Sequence, residues 1–234
     1  MSIEILDGLN PDQEEAVLHN TGPLLVVAGA GSGKTRVLTH RIARLIQEEG
    51  VSPFAILAIT FTNKAATEMR SRVEGLVGSV SQRMWVSTFH SACVRILRRE
   101  AKAIGYPSSF TIYDHADAVR LTSYVLRDLN IDSKRNPPRS VHSSISAAKN
   151  EGRTAAEFLA AADSTHERRI GDVFVEYQRR LKAAGAMDFD DLLSVTVQLF
   201  KSNPDVLETW QRRFEYILVD EYQDTNPVQN ELVL

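Results

Sequence analysis

Leu24-Leu25-Val26-Val27-Ala28-Gly29-Ala30-Gly31-Ser32-Gly33-Lys34-Thr35-Arg36 leads from an apolar run, through a glycine-rich turn, into a segment with Val37, Leu38, Ile42, Leu45 and Ile46 on one helical face. The apolar run reads as a buried parallel strand and the segment after it as a helix. A strand, a tight loop and a helix in that order make a phosphate trap. The loop's backbone N–H groups and the positive end of the helix dipole converge on one anion. Gly29, Gly31 and Gly33 let the backbone approach closely and take φ values that other residues avoid. Lys34 supplies a mobile cation for β- and γ-phosphates, and the Thr35 hydroxyl is placed for Mg²⁺. The strict pattern has glycine where Ala28 stands, and a single methyl group leaves the loop intact. The candidate nucleotide contacts here are Ala28, Gly29, Ala30, Gly31, Ser32, Gly33, Lys34, Thr35 and Arg36.

Near the other end, Ile217-Leu218-Val219 is a second run fit for a buried parallel strand, and Asp220-Glu221-Tyr222-Gln223-Asp224 follows it. Adjacent acids are common on solvated surfaces, but ligand chemistry in open α/β sheets gathers at the carboxyl ends of strands. That placement sets Asp220 level with Thr35 as the second metal partner. Glu221 then faces the γ-phosphate as the base that takes a proton from the attacking water, and Gln223 senses that phosphate.

Between these motifs the chain alternates strand and helix. Ala55 to Ile59 reads as a strand, Thr60-Phe61-Thr62-Asn63 as a loop, and Ala66, Met69, Val73 and Leu76 as one face of a helix. Met84 to Ser87 reads as a strand, Thr88-Phe89-His90-Ser91 as a loop, and a helix continues through Lys102. The expected fold is α/β: a RecA-like parallel sheet with helices on both faces. From about Tyr113 strand signals fade and helical patterns dominate, with breaks at Asn136-Pro137-Pro138 and Gly152. We therefore expect an all-helical subdomain over residues 113–185, inserted into an ATPase core of residues 1–112 and 186–234.

A chain of 234 residues with 43% hydrophobic content can bury a substantial core. The single cysteine, Cys93, lies in a helical pattern with Val94, Leu97 and Ala101, which suits a packed thiol. One cysteine allows no disulfide framework, no signal pattern opens the chain and no run reaches membrane-spanning length. Cytoplasm is the expected location, with no membrane partner. The formal net charge of -3 argues against a generally DNA-coating protein. It hides an asymmetry: His115 to Gly185 holds 12 Lys and Arg against 9 Asp and Glu, whereas the whole chain has 27 against 30. That is mild support for a basic insert on an acidic core.

Several ordered stretches resemble the N-terminal part of the UvrD/Rep/PcrA family of superfamily-one DNA helicases, and the likeness covers essentially the whole chain. Leu9-Asn10-Pro11-Asp12-Gln13 is similar to the family's adenine-reading motif, and Ala28 to Thr35 to its phosphate loop, alanine included. Ile59 to Ala66 and Val86 to Ser91 resemble two DNA-contacting motifs. Met187 to Leu193 resembles the exit from the inserted domain, and Asp220 to Asn226 the metal and water motif. The resemblance implies ATP and Mg²⁺ as cofactors, and Lys34, Glu221 and Gln223 as catalytic residues. Thr35 and Asp220 become metal ligands, Gln13 an adenine contact, and Thr60, Phe61, Asn63, Thr88 and His90 DNA contacts. It further implies a motor that moves 3′ to 5′ on single-stranded and forked DNA in repair or replication, with repair-protein partners. A second RecA-like domain, not in these residues, supplies arginines to the γ-phosphate, so the chain by itself is expected to be nearly inactive. Two other readings share the motifs: the helicase subunit of a helicase-nuclease complex, and a nucleotide- or DNA-binding module without turnover.

The residues also admit plainer roles. Asn10-Pro11-Asp12-Gln13 is a good helix start, with Asn as cap and Gln closing a capping box, and the same amide can pair with adenine. Phe61 is either core or a stacking platform for an unpaired base. His90 is either a structural group or a DNA contact. Ala66 stands where a guanine-reading motif would need aspartate, which disfavours GTP. Asp190 and Asp191, beside Leu192-Leu193, read as acids at a helix start rather than metal ligands.

Overall fold

The computed structural model describes residues 5–234. In chain order its elements are α1 (Pro11–Leu18), α2 (Lys34–Gln47), β1 (Ile56–Thr60), α3 (Asn63–Val77), β2 (Trp85–Thr88), α4 (Phe89–Glu100), β3 (Thr111–Tyr113) and α5 (His115–Asp128). There follow α6 (Pro138–Asn150), α7 (Ala155–Ala160), α8 (Thr165–Ala183), β4 (Ala186–Asp188), α9 (Phe189–Ser202), α10 (Pro204–Arg213), β5 (Tyr216–Val219) and α11 (Pro227–Val233). The chain forms two compact units, residues 5–92 with 208–224, and residues 93–207 with 225–234. Among the described residues no helix is long and apolar enough to cross a membrane.

The first unit is built on a parallel sheet in the order β2-β1-β5, with Leu57 opposite both Trp85 and Ile217. β1 is buried along its whole length, as a central parallel strand covered on both faces must be, and its sequence is correspondingly apolar up to its last residue, Thr60. Side chains alternate across the sheet. Ile56, Ala58 and Val86 pack under Ile42 and Leu45 of α2 and under Ala66, Met69 and Val73 of α3. Trp85 turns the other way, onto Trp210 and Phe214, with ring centroids 5.5 and 5.1 Å distant. The Arg213 guanidinium lies over the same rings. Helices thus cover both faces of an α/β sheet, as expected.

One expected strand does not form. Leu24 to Val27 makes no ladder, and all four side chains are exposed, Val27 at 87%. The described sheet ends at β5 and sets no strand beside these residues. An apolar run becomes a strand only when a neighbour takes up its N–H and C=O groups, which local sequence cannot report.

α1 begins as its sequence directs. The Asn10 side chain accepts from the Gln13 N–H, the Gln13 side chain accepts from the Asn10 N–H, and Pro11 stands in the first turn. Its last carbonyls, which no helical partner satisfies, are taken by α2: Arg41 Nη1 donates to Ala16 O and His19 O, and Arg44 Nη1 to Val17 O and Leu18 O. These four bonds, with one more from Arg44 Nη1 to Asn20 Oδ1, fasten the end of the helix bearing Gln13 to the helix bearing Lys34.

The second unit is helical around one short strand pair. Thr111 to Tyr113 runs parallel to Ala186 to Asp188, so the stretch read as an insert leaves and returns on adjacent strands. Its core joins Val125 and Leu126 of α5, Val141 and Ile145 of α6, and Val173, Phe174, Tyr177 and Leu181 of α8. Cys93 is buried, and burial pushes its thiol up to about 12, so it packs as an inert apolar group, as read from the sequence.

Candidate functional site

The glycine-rich turn delivers Lys34 and Thr35 as the first two residues of α2. Gly33 is the residue before the helix, at φ 88°, where an L side chain is strained. A Cβ on Gly33 would also lie 2.7 Å from Gln13 Nε2, the mobile tip of that side chain, so the positive φ is what requires glycine. Gly31 likewise has a positive φ of 76°. The turn is braced from within: Ser32 Oγ donates to Gly29 O at 2.7 Å, and Lys34 Nζ donates to Ala28 O and Gly29 O at 3.0 and 3.1 Å. Gln13 Nε2 donates to Ser32 O at 2.8 Å, tying α1 to the turn. Arg36 turns outward to Asp7, donating to its carbonyl at 3.2 Å.

β5 brings the acidic motif to the same place. Asp220 N donates to Ile59 O at 2.9 Å, extending the sheet by one bond, and Thr35 Oγ1 donates to Asp220 Oδ2 at 3.3 Å. Residues 185 positions apart in the chain thereby meet. Burial raises the Asp220 carboxyl above the usual range, the Thr35 hydrogen bond opposes this, and the neighbouring Glu221 charge adds to the rise. A half-buried carboxylate disfavoured by desolvation gains from a cation placed against it. A hydroxyl and a carboxylate are hard oxygen donors of the kind Mg²⁺ takes in ones and twos beside phosphate and water.

Glu221, the next residue, has φ 51°. The left-handed region is uncommon for a residue with a side chain, and such outliers cluster at functional positions. Its carboxylate is exposed and accepts from Gln223 Nε2 at 2.6 Å, while its carbonyl accepts from Asp224 N at 2.9 Å. The fold therefore holds a carboxylate and an amide side by side, one step beyond the metal ligand candidate.

The residues proposed to meet DNA stand at the carboxyl ends of β1 and β2, the same edge of the sheet as Asp220. Thr60 and Thr88 are buried and hold their own loops: Thr60 Oγ1 donates to Thr62 O, and Thr88 Oγ1 donates to Ser91 Oγ. Phe61 is half-buried and meets Phe89 edge-on at 5.8 Å. Asn63 is exposed at the first turn of α3, and His90 is half-buried in the first turn of α4. Thus Phe61, Asn63 and His90 offer side-chain surface at this edge, and the two threonines shape it.

In the second unit, Asp190 and Asp191 do occupy a helix start. Asp188 is the cap of α9 and Asp191 closes its capping box. Sequence reading missed their partner. Lys149 Nζ, 3% exposed, donates to Asp188 Oδ2 and Asp191 Oδ1, both at 2.7 Å, while Tyr177 Oη donates to Asp188. A lysine near the end of a polar-looking helix carries no sign of burial in its sequence.

The chain matches the family described as UvrD/REP helicase N-terminal domain over residues 9–234. It is 52% identical over 233 residues to the ATP-dependent DNA helicase PcrA of Bacillus subtilis, covering 100% of this chain and 32% of that protein. It is 53% identical over 229 residues to PcrA of Staphylococcus epidermidis strain RP62A, covering 98% and 31%. PcrA of Staphylococcus aureus strain Mu50 is 52% identical over 229 residues, with the same coverage of 98% and 31%. The chain spans about a third of the length of these relatives. A glycine-rich turn and an acidic strand end meet through Thr35 and Asp220 in a chain that matches the family model over residues 9–234, and the chain belongs to the UvrD/REP helicase N-terminal domain family.

Proposed function

We propose that this chain is the first motor core of an ATP-dependent DNA helicase, and that it binds Mg²⁺-ATP between the glycine-rich turn and the end of β5. The observation that carries the reading is the 3.3 Å contact of Thr35 with Asp220 beside Lys34. Ala28 to Lys34 wrap the triphosphate with backbone N–H groups, and Lys34 exchanges the carbonyls of Ala28 and Gly29 for β- and γ-phosphate oxygens. Thr35 and Asp220 hold Mg²⁺, which, when bound, neutralises charge on the phosphate oxygens. Glu221 takes the proton of the attacking water, and Gln223, bonded to Glu221, responds to the γ-phosphate. Gln13 releases Ser32 O to read adenine.

In the complete motor a second RecA-like domain contributes arginines to the same phosphate. Phe61, Asn63 and His90, on loops shaped by Thr60 and Thr88, grip single-stranded DNA, and alternate grip and release drive 3′ to 5′ movement and unwinding of forked duplexes. The protein works in the cytoplasm in DNA repair or replication, alongside repair proteins. Residues 113–185 form a helical insert in a core of residues 1–112 and 186–234, supported by the adjacency of β3 and β4 at its two ends.

The test is Lys34→Ala in the full-length protein. Losing a charge-assisted contact weakens nucleotide triphosphate binding by about 10- to 100-fold. Isothermal titration with a non-hydrolysable ATP analogue measures this, and unchanged affinity would remove Lys34 from the site.

A further inference from the structure

The residues ahead of α1 are bound to α2 by a histidine to which no role has been given. Ile5 is buried against Val17 of α1 and Val37 of α2, and Leu6 and Leu9 pack on the same cluster. A backbone carbonyl carried into such a place needs a donor. His40 of α2 supplies it: Nδ1, in a ring only 8% exposed, bonds Ile5 O across 35 positions of the chain. A carbonyl only accepts, so Nδ1 carries the proton. One turn earlier on the same face of α2, Arg36 Nη2 donates to Asp7 O at 3.2 Å.

Ile5 to Leu9 thus forms a strap on α2, closed by Leu9 N donating to Leu6 O at 3.1 Å. Asn10, the cap of α1, follows it directly, and Gln13 stands in the first turn of that helix. Arg41 and Arg44 hold the far end of α1, and the strap holds the near end. The place of the Gln13 amide over the glycine-rich turn, where Nε2 reaches Ser32 O at 2.8 Å, is set by the two together. The strap, α1, α2 and the turn all belong to the first unit.

We propose that His40 is a positioning residue for purine selection, acting through the Ile5 strap to hold Gln13 where its amide meets the base. The inference rests on the reading above, in which Gln13 reads adenine. An amide offers an acceptor to adenine N6 and a donor to N7, whereas guanine presents a second acceptor, O6, in place of the N6 donor. Discrimination therefore depends on where the amide stands. In the same reading Lys34 and Thr35 grip the phosphates from the first turn of α2, and His40, more than one turn further on, bonds Ile5 instead. Loosening the strap weakens the choice between ATP and GTP and leaves the grip on the triphosphate intact.

Hydrolysis of ATP and of GTP by the full-length protein on single-stranded DNA, with tripolyphosphate as competitor, tests this in His40→Leu, His40→Asn, Gly8→Ala and Gln13→Ala. Leucine fills the space and removes the donor, and asparagine keeps an N–H near the place of Nδ1. Gly8 is exposed at φ 71°, where alanine is strained, so Gly8→Ala disturbs the strap without opening the core and decides the matter if His40→Leu does not fold. His40→Leu and Gly8→Ala are each expected to shrink the ATP-to-GTP ratio of kcat/KM by about three- to tenfold, the effect of roughly one hydrogen bond, with inhibition by tripolyphosphate unchanged. His40→Asn is expected to restore most of the ratio. A wild-type ratio in both His40→Leu and Gly8→Ala, a loss of tripolyphosphate inhibition equal to the loss for ATP, or an asparagine variant no better than leucine would each overturn the proposal. Gln13→Ala separates the two levels. If it keeps the wild-type ratio, Gln13 does not read adenine, and that reading falls together with this inference. If it erases the ratio while His40→Leu and Gly8→Ala keep it, this inference alone falls.

Discussion

Glu221→Gln in the full-length protein should cut DNA-stimulated ATP turnover by about 10²- to 10⁴-fold, the range of a lost general base. ATP binding should be retained. Glutamine keeps the size of the side chain and an oxygen to accept from Gln223 Nε2, so the contact seen at 2.6 Å survives. The left-handed backbone at φ 51° is equally strained for either residue. What disappears is basicity: an amide oxygen accepts a hydrogen bond but does not hold a proton. Nothing in the phosphate turn changes, because Lys34, Ser32 and Gln13 bond among themselves and to the turn. Single-turnover quench-flow with radiolabelled ATP separates chemistry from binding. A burst of wild-type rate in this variant would show that another group deprotonates water.

Lys149→Met should destabilise the second unit by about 3–5 kcal/mol, the cost of leaving buried charge unpaired. In the wild type, burial and the adjacent Asp188 outweigh the opposing pull of Lys149 and leave Asp191 raised to about 6. Burial acts the same way on Asp188, but there the Lys149 charge and hydrogen bond win and hold the carboxyl below the usual range. Burial by itself would lower the Lys149 ammonium, and the two carboxylates more than offset it. Removing the ammonium leaves two carboxylates in apolar surroundings against Tyr177. Both then titrate above their unfolded values. A carboxyl raised on folding contributes stability that is full below its unfolded pKa and is lost as pH rises through the folded value. The deficit of the variant therefore grows as pH rises from 4 towards neutrality. Denaturant titration of wild type and variant at pH 5 and pH 8 measures it. Equal stability at pH 8 would mean that the cluster is solvated. Adding Asp188→Asn and Asp191→Asn to Lys149→Met should recover much of the loss, since no buried charge then remains.

Local patterns sufficed where local physics decides. The strands β1, β2 and β5 start and end within one residue of the apolar runs that announce them, and the Asn10 capping box forms with its own neighbours. The glycine at 33 is legible because a left-handed turn before a helix demands it. Leu24 to Val27 fails for the complementary reason: pairing comes from elsewhere in the chain. The same separation hid the polar connections. Gln13 reaches Ser32 across 19 residues, Lys149 reaches Asp188 across 39 and Asn226 reaches Asn150 across 76. Thr35 and Asp220, 185 apart, were legible because each sits at a motif whose chemistry requires the other. Phe61 shows the limit of type without context: the ring is partly engaged with Phe89, which its sequence position does not reveal.

The Mg²⁺ dependence of nucleotide binding tests the proposed cation shared between the turn and the end of β5. Isothermal titration of the full-length protein with a non-hydrolysable ATP analogue, with Mg²⁺ and with EDTA, should give tighter binding with the metal. Asp220→Asn should bind equally with and without it. If Asp220→Asn keeps the wild-type gain from Mg²⁺, the metal does not sit between Thr35 and Asp220, and the nucleotide site described here is wrong.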